Sequence, residues 1–390
     1  MHSVQVFNTI SQAGLENLPS SRYVIGNTLA NPDAYLLRSH KLHEAPLPAS
    51  LKAVARAGAG VNNIPIDRCS QRGIVVFNTP GANANSVKEL VLCGMLLSSR
   101  RITEGIAWAR TLHGSDVATQ VEKGKRHYKG TEIMGKTLGV IGLGAIGVAV
   151  ANAGCALGMN VIGFDPFISV TSAWGLAREV VREESLNALM AKADYVTIHA
   201  PLNDRTRDLI GEPQFAVMKQ GMRLLNFARG PLVNQQALLK ALDEGHLGRY
   251  VTDFPDGRLV RHERVIPVPH LGASTLEAED NCAVMAVRQL RDYLERGTVT
   301  NSVNFPTVKH SLPPGAHRIQ IVNRNEPSMI SQLAAVLGGV GINITNLVNK
   351  GRGPLAYTVI DVHDTIEDKI LEHFRAIDGV VRARCIVAPT

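Results

Sequence analysis

Leu138-Gly139-Val140-Ile141-Gly142-Leu143-Gly144-Ala145-Ile146-Gly147, running on to Val161-Ile162-Gly163-Phe164-Asp165, organises the whole of this 390-residue chain. Leu138 to Ile141 is a short apolar run of the kind that forms a buried strand, and Gly142, Gly144 and Gly147 satisfy GxGxxG. Ala145 to Leu157 is apolar enough for a packed helix, and a second apolar run ends in an acid. Each glycine has a task in such a unit: a tight turn, room for a pyrophosphate against the backbone, and close packing of helix on strand. The free amides and positive dipole end of the helix make the first turn, Ala145 and Ile146 included, an anion site. Asp165 lies 23 residues after Gly142 (165 − 142), near the ~20 expected of a carboxylate that accepts from both ribose hydroxyls and repels a 2′-phosphate. The expected cofactor is therefore NAD, not NADP.

Gly139 to Phe164 is 26 residues long, with only Asn152 and Asn160 as polar interruptions. That length also suits a membrane span. Seven glycines, the absence of an aromatic belt and the Gly-x-Gly turn near its start favour a strand-turn-helix-strand buried on both sides. No membrane association is expected.

With 45% hydrophobic and 19% charged residues, the composition is that of a globular chain long enough for two or three domains. The net charge is +7, but Lys and Arg are dispersed apart from small groups such as Lys123 to Lys129, so an anionic small substrate is expected rather than nucleic acid. Cys69, Cys93, Cys155, Cys282 and Cys385 form no CxxC pair, a pattern of reduced thiols in the cytoplasm with no metal site. Met1 to Ile10 lacks the features of a secretion signal.

Short apolar runs at Val4 to Phe7, Ala53 to Arg56 and Ile74 to Phe77 alternate with helical stretches, which predicts an open α/β sheet ahead of the glycine motif. Glu89 to Arg110 predicts one long helix, and Thr111 to Lys136 a polar connection. Strand-helix alternation continues to about Pro269, and Glu277 to Arg296 predicts a long helix returning to the first unit. Beyond a Pro-rich linker, residues from His317 onward predict the order βαββαβ, a ferredoxin-like unit.

Arg56-Ala57-Gly58-Ala59-Gly60-Val61-Asn62-Asn63, Asn78-Thr79-Pro80-Gly81, Asn226-Phe227-Ala228-Arg229-Gly230 and Pro269-His270-Leu271-Gly272-Ala273-Ser274-Thr275, in this order, resemble the D-2-hydroxyacid dehydrogenases. The resemblance runs over essentially the whole length, and the C-terminal unit, with its Gly341-Ile342-Asn343-Ile344 turn, resembles an ACT regulatory domain. It implies an α/β protein with two doubly wound parallel-sheet domains. A Rossmann-type NAD domain (89–282) is inserted in a flavodoxin-like substrate domain (1–88 and 283–308), and an ACT domain follows (316–390). The implied activity is NAD-dependent oxidation of a phosphorylated 2-hydroxy acid by a homodimer or homotetramer. The alternatives are a dehydrogenase for another 2-hydroxy acid, such as glycerate or lactate, and an NAD-sensing binding protein resembling the C-terminal-binding corepressors.

The chemistry needs a cation for the substrate carboxylate and forming carbonyl, and a base for the hydroxyl proton. Arg229, a bidentate guanidinium after a predicted strand, and His270 are the right types. The family pairs this histidine with a glutamate in an Asp-Val-Phe-x-x-Glu-Pro stretch. Here the sequence reads Val251-Thr252-Asp253-Phe254-Pro255-Asp256, without that glutamate. Asp256 is the expected replacement, with Glu263 the other carboxylate within reach along the chain. The resemblance further implies cofactor contacts from His199, Ala200, Pro201, Phe227, Ala228, Asp253, Gly272 and Ala273. It implies substrate contacts from Arg38 and from the amides of Ala57, Gly58, Ala59 and Gly60. In the ACT-like unit, Asn323, Asn325 and Asn343 match positions that contact L-serine in regulated relatives; the bland alternative is that Asn325 caps a helix and Asn343 shapes a turn.

Overall fold

The structure, a computed structural model, describes residues 1–388; Pro389 and Thr390, the end of the expected third domain, lie outside the described residues. The chain divides into two compact units, Met1–Ala82 with Glu279–Thr390, and Asn83–Ala278.

In the first unit, β1 (His2–Val6), β2 (Tyr23–Gly26), β3 (Ala34–Leu37), β4 (Ala53–Arg56) and β5 (Val75–Phe77) form a parallel sheet in the order β2-β1-β3-β4-β5, the flavodoxin-like winding. Sequence reasoning missed β2 and β3. The latter, Ala34-Tyr35-Leu36-Leu37, is buried throughout and shows no alternation to betray it. The helix Leu276–Arg296 lays Ala283, Ala286, Val287, Leu290 and Leu294, a 3.6-period stripe, into the core with Val4, Ala34 and Val75.

The second unit carries β6 (Thr137–Ile141), β7 (Asn160–Phe164), β8 (Val181–Arg182), β9 (Tyr195–Ile198), β10 (Met222–Asn226), β11 (Leu247–Thr252) and β12 (Val265–Pro267). They lie parallel in the order β12-β11-β10-β9-β6-β7-β8. The winding reverses between β6 and β9, the switch point at which open α/β sheets bind ligands. The expected single helix from Glu89 to Arg110 is two, Ala84–Arg100 and Ile102–Ala109, broken where Arg101 takes the left-handed conformation (φ 47°). The polar connection contains a further short helix, Val117–Gly124.

The C-terminal residues form an antiparallel sheet of β13 (His317–Arg324), β14 (Asn346–Arg352), β15 (Leu355–Val362) and β16 (Val380–Val387), in the order β14-β15-β13-β16, with helices Met329–Gly338 and Asp368–Ala376. This is the βαββαβ arrangement of an ACT-like domain. One face of the sheet packs Ile319, Ile321 and Ile360 on Leu333, Leu337 and Phe374. The other joins Val322, Tyr357 and Val359 to the core built on helix Leu276–Arg296. There Tyr357 Oη donates to Gly297 O (2.6 Å), Gln320 Nε2 to Tyr293 Oη (2.8 Å) and Arg384 Nη2 to Tyr293 O (2.7 Å). That shared core explains why the C-terminal sheet belongs to the first unit.

Candidate active site

The glycine motif forms a cradle at the carboxyl end of β6. Gly142 has φ +87°, and a Cβ there would lie 2.8 Å from the backbone of His199, so only glycine turns the chain at this point. A Cβ on Gly147 would come within 1.9 Å of Gly142 O, the close packing of turn on helix expected from the motif. Gly144 caps the helix Ala145–Ala156 without a side-chain hydrogen bond, and the space a Cβ would take there is open. The first-turn amides, among them Ala145 and Ile146, thus end in a bare, positively polarised groove that suits a pyrophosphate.

Asp165 follows β7. Its Oδ2 accepts from Leu143 N and its Oδ1 from Phe167 N, each at 2.8 Å, so both oxygens are aimed by backbone while retaining lone pairs for ribose hydroxyls. His199 directly follows β9, with its ring Nε2 3.0 Å from Thr197 Oγ1, and burial pushes its imidazole down to about 3, leaving it neutral. Ala200 and Pro201 follow in a turn tied by Thr206 Oγ1 donating to Pro201 O (2.6 Å). These residues fit NAD, which when bound supplies a hydride acceptor.

Arg229 is positioned by a residue to which the sequence reading gave no role. Asn226, fully buried at the end of β10, accepts at Oδ1 from the amides of Ala228 (3.2 Å) and Arg229 (3.3 Å) and donates from Nδ2 to Arg229 O (2.9 Å). It locks the turn after buried Phe227, and Arg229 Nη1 donates to Ala228 O (2.6 Å). An asparagine closing an apolar strand just before a turn was the available signal.

The carboxylate beside His270 is Asp253, not Asp256. Asp253 is 3% exposed at the end of β11, and its Oδ2 accepts from Gly272 N (3.3 Å), two residues past His270. Burial raises the Asp253 carboxyl, while His270, the Gly272 amide and Arg229 pull it back toward ionisation. Phe254 places its ring 4.6 Å from that of His270, and Ser86 Oγ donates to Gly272 O (2.9 Å), steadying the loop that ends in Ala273. Asp256, by contrast, is exposed and caps its own turn. It accepts from Leu259 N (2.9 Å) and Arg258 N (3.0 Å) and pairs with Gln235 Nε2, and these bonds, the Leu259 amide foremost, hold its carboxyl below the usual range. Glu263 precedes β12 while His270 follows it, which puts the two at opposite ends of the strand.

In the first unit, Arg38 is not a bare cation: its Nη1 lies 2.7 Å from Glu279 Oε1. Its carbonyl accepts from Arg56 Nε (2.9 Å) and Asn63 Nδ2 (3.2 Å). The expected amide nest is smaller than the sequence suggests, because Ala57 N donates to Leu37 O and Gly58 N to Arg56 O, leaving Ala59 and Gly60 as the remaining donors of the loop. In the C-terminal domain Asn323 is withdrawn from solvent. It is 1% exposed, with Oδ1 accepting from Thr358 Oγ1 (2.8 Å) and Nδ2 donating to Arg324 O (2.7 Å), so both ends of its amide are engaged within the sheet. Asn325 does not cap the following helix; it donates to Gly353 O (3.3 Å), while Asn343 is exposed in its turn. Among the described residues no group of His, Cys, Asp and Glu is arranged to hold a metal, and no helix is long and apolar enough to cross a membrane.

Residues 94–272 match the family described as D-isomer specific 2-hydroxyacid dehydrogenase, NAD binding domain. The chain is 38% identical over 264 residues to the D-3-phosphoglycerate dehydrogenase of Methanocaldococcus jannaschii, an alignment covering 66% of this chain and 48% of that protein. It is similar to the NAD+-bound crystal structure of 3-phosphoglycerate dehydrogenase from Entamoeba histolytica (TM-score 0.61, 26% identity, 78% of this chain and 98% of that one). It is also similar to a glyoxylate reductase from Paecilomyes thermophila (TM-score 0.63, 25% identity, 77% and 98%). The chain spans about half the length of the curated relatives it matches. With the glycine cradle, the Asp165 carboxylate and the Arg229, Asp253 and His270 positions all beyond the carboxyl ends of one parallel sheet, residues 94–272 form an NAD-binding domain of the D-2-hydroxyacid dehydrogenase family.

Proposed function

We propose that this protein oxidises 3-phospho-D-glycerate to 3-phosphooxypyruvate with NAD, the first step of L-serine synthesis. The observation that carries the reading is the arrangement of Arg229, Asp253 and His270, held by Asn226 and Gly272 beyond the carboxyl ends of β10, β11 and β12. The phosphorylated substrate follows from likeness to relatives of that name. In this scheme the Arg229 guanidinium binds the carboxylate and polarises the developing carbonyl. NAD, once bound, would accept the hydride from C2; His270 is the group that takes the hydroxyl proton, and the Asp253 carboxylate stabilises the imidazolium that results. A panel of 3-phosphoglycerate, D-glycerate and D-lactate, followed by NADH absorbance, tests the reading. The highest kcat/KM is expected for the phosphorylated acid, and equal values for D-glycerate would end it.

One observation favours a second reading, oxidation of an unphosphorylated 2-hydroxy acid. Glu279 already occupies Arg38, the residue matched to the phosphate contact. The same panel separates the two.

We further infer a cytoplasmic homodimer or homotetramer, with the C-terminal domain as the seat of an amino-acid effector. Asn343, exposed in its turn, and Asn325 are the residues that serve such a site once Asn323 is set aside. Calorimetry with L-serine at about millimolar concentration is the check, and Asn343→Ala is expected to abolish the heat without altering uninhibited kcat.

A further inference from the structure

The amino ends of β10 and β11 carry a feature that the dehydrogenase chemistry does not use. A cavity of about 380 Å³ opens there, lined by Ser99, Arg101, Lys129, Thr131, Arg223 and Arg249 among others. Arg223 is the second residue of β10 and Arg249 the third of β11. Arg229 and Asp253 lie beyond the other ends of the same two strands, roughly 15 Å away at about 3.3 Å per residue. The cavity is therefore separate from the cofactor cradle.

Its walls are strongly cationic. Four basic side chains, Arg101, Lys129, Arg223 and Arg249, meet one carboxylate: Glu104 pairs with Arg249 and lies 3.6 Å from Arg101 Nε. Burial pushes the Glu104 carboxyl up, but its hydrogen bonds from backbone, Thr103 and Arg249 outweigh this and hold it below its ordinary value, so it is ionised at neutral pH. Four cations less one anion leave a local charge near +3. Lys129, exposed at the rim, has no carboxylate partner among the described residues.

Arg223 is built in rather than draped on the surface. Its guanidinium lies over the Tyr195 ring, 5.1 Å from the centroid, and the Tyr195 hydroxyl is fixed by Ser99 Oγ at 2.7 Å. Nη2 donates to Thr131 Oγ1 (3.3 Å), yet Nε is buried with no acceptor among the described residues. A buried donor left unpaired is costly, and a charged one more so. The adjoining wall is held tight: Thr131 N donates to Ser99 O (3.1 Å), and a Cβ on Gly130 would meet that same oxygen at 2.1 Å. The chain thus gives up a side chain at residue 130 to bring Lys129 and Thr131 to the cavity.

We propose that this cavity is a binding site for a small polyanion, a molecule carrying two or more phosphate or carboxylate groups, distinct from the substrate and NAD sites. Its volume exceeds that of a single phosphate, being that of about a dozen liquid waters, and its donors are spread over four side chains. Guanidinium pairs recognise both kinds of oxyanion.

Calorimetry on the full chain, with NAD saturating so that the cradle is filled, tests this with two probes, inorganic pyrophosphate and citrate. Saturable binding of at least one is expected below about 1 mM at low salt, weakening as ionic strength rises. Pyrophosphate alone binding assigns a phosphate ligand, and citrate alone a carboxylate ligand. Arg223→Gln should weaken binding about tenfold or more and Lys129→Ala about threefold to tenfold, with NAD affinity unchanged in both. Lys129 is exposed, so its variant stays informative if the Arg223 variant fails to fold. Absence of heat from both probes up to about 10 mM, or unchanged affinity in a folded Lys129→Ala protein, overturns the proposal. Neither outcome bears on the dehydrogenase reading, which the substrate panel tests separately.

Discussion

Gly272 N donates to Asp253 Oδ2 at 3.3 Å, while Asp253 Oδ1 is buried with no partner among the described residues. A half-satisfied carboxylate is expensive, and burial accordingly raises its pKa. A carboxyl of this kind favours folding while protonated, and its contribution is lost as pH rises through its folded-state value. Asp253→Asn lacks that loss. The melting temperature of the cofactor-free variant should match wild type near pH 4 and exceed it by about 2–4 °C at pH 7, read by scanning fluorimetry. The same variant should lose about tenfold or more in kcat, and the acidic pKa of its kcat/KM profile should fall, because the charge that favours the His270 imidazolium is gone. An unmoved profile would remove Asp253 as the partner of His270. Asp256→Asn should leave that profile unchanged, since its carboxylate is spent on Leu259, Arg258 and Gln235.

Cofactor choice is expected to rest on Asp165. With both oxygens held by the Leu143 and Phe167 amides, the carboxylate is a fixed negative charge, and NAD should be strongly preferred to NADP. Asp165→Ala is expected to weaken NAD by about tenfold, roughly 1.4 kcal/mol, and to narrow the gap to NADP. Comparable kcat/KM for both cofactors in the unaltered protein would count against this assignment.

Arg229→Lys replaces a bidentate fork by a point charge, so KM should rise and kcat fall together, with kcat/KM down about a hundredfold. His270→Ala should act mainly on kcat, by about 10²–10⁴-fold, and leave NAD binding intact by fluorescence titration. Wild-type turnover in the His270 variant would exclude it as the base.

Stability of the C-terminal domain should hinge on Arg318. Its Nε and Nη2 clasp Asp361 at 2.7 and 2.8 Å, and its remaining donors reach the carbonyls of Arg296, His310 and Ser311, with both side chains essentially inaccessible. Arg318→Met strands a buried carboxylate and is expected to cost about 3–5 kcal/mol in urea unfolding. Arg318→Met with Asp361→Leu should recover most of that loss. A double variant as unstable as the single one would show that the pair stabilises beyond cancelling its own burial.

What the amino-acid sequence determined alone is what depends on neighbours along the chain. The strand, Gly142-Leu143-Gly144, helix and Asp165 signal the cofactor because turn, helix start and ribose carboxylate lie within one βαβ unit of fixed geometry. The βαββαβ order of the last domain was legible for the same reason, as period-2 and period-3.6 runs declare themselves locally. β3 was not, being apolar throughout and only four residues long. Nor was the break at Arg101, which interrupts a continuous helical pattern without a glycine or proline to mark it. Tertiary structure alone decided which of two carboxylates three residues apart is buried next to the His270 loop. Asp253 follows a buried strand next to the Gly272 loop, whereas Asp256 has turned outward to cap its own amides, and burial is a property of the fold, not of spacing. It also decided that Asn323 hydrogen-bonds across the sheet to Thr358, and that Arg318 finds Asp361 43 residues away. Such pairings follow from strand register and from which face each residue presents, and these are set only when the layers close on a common core.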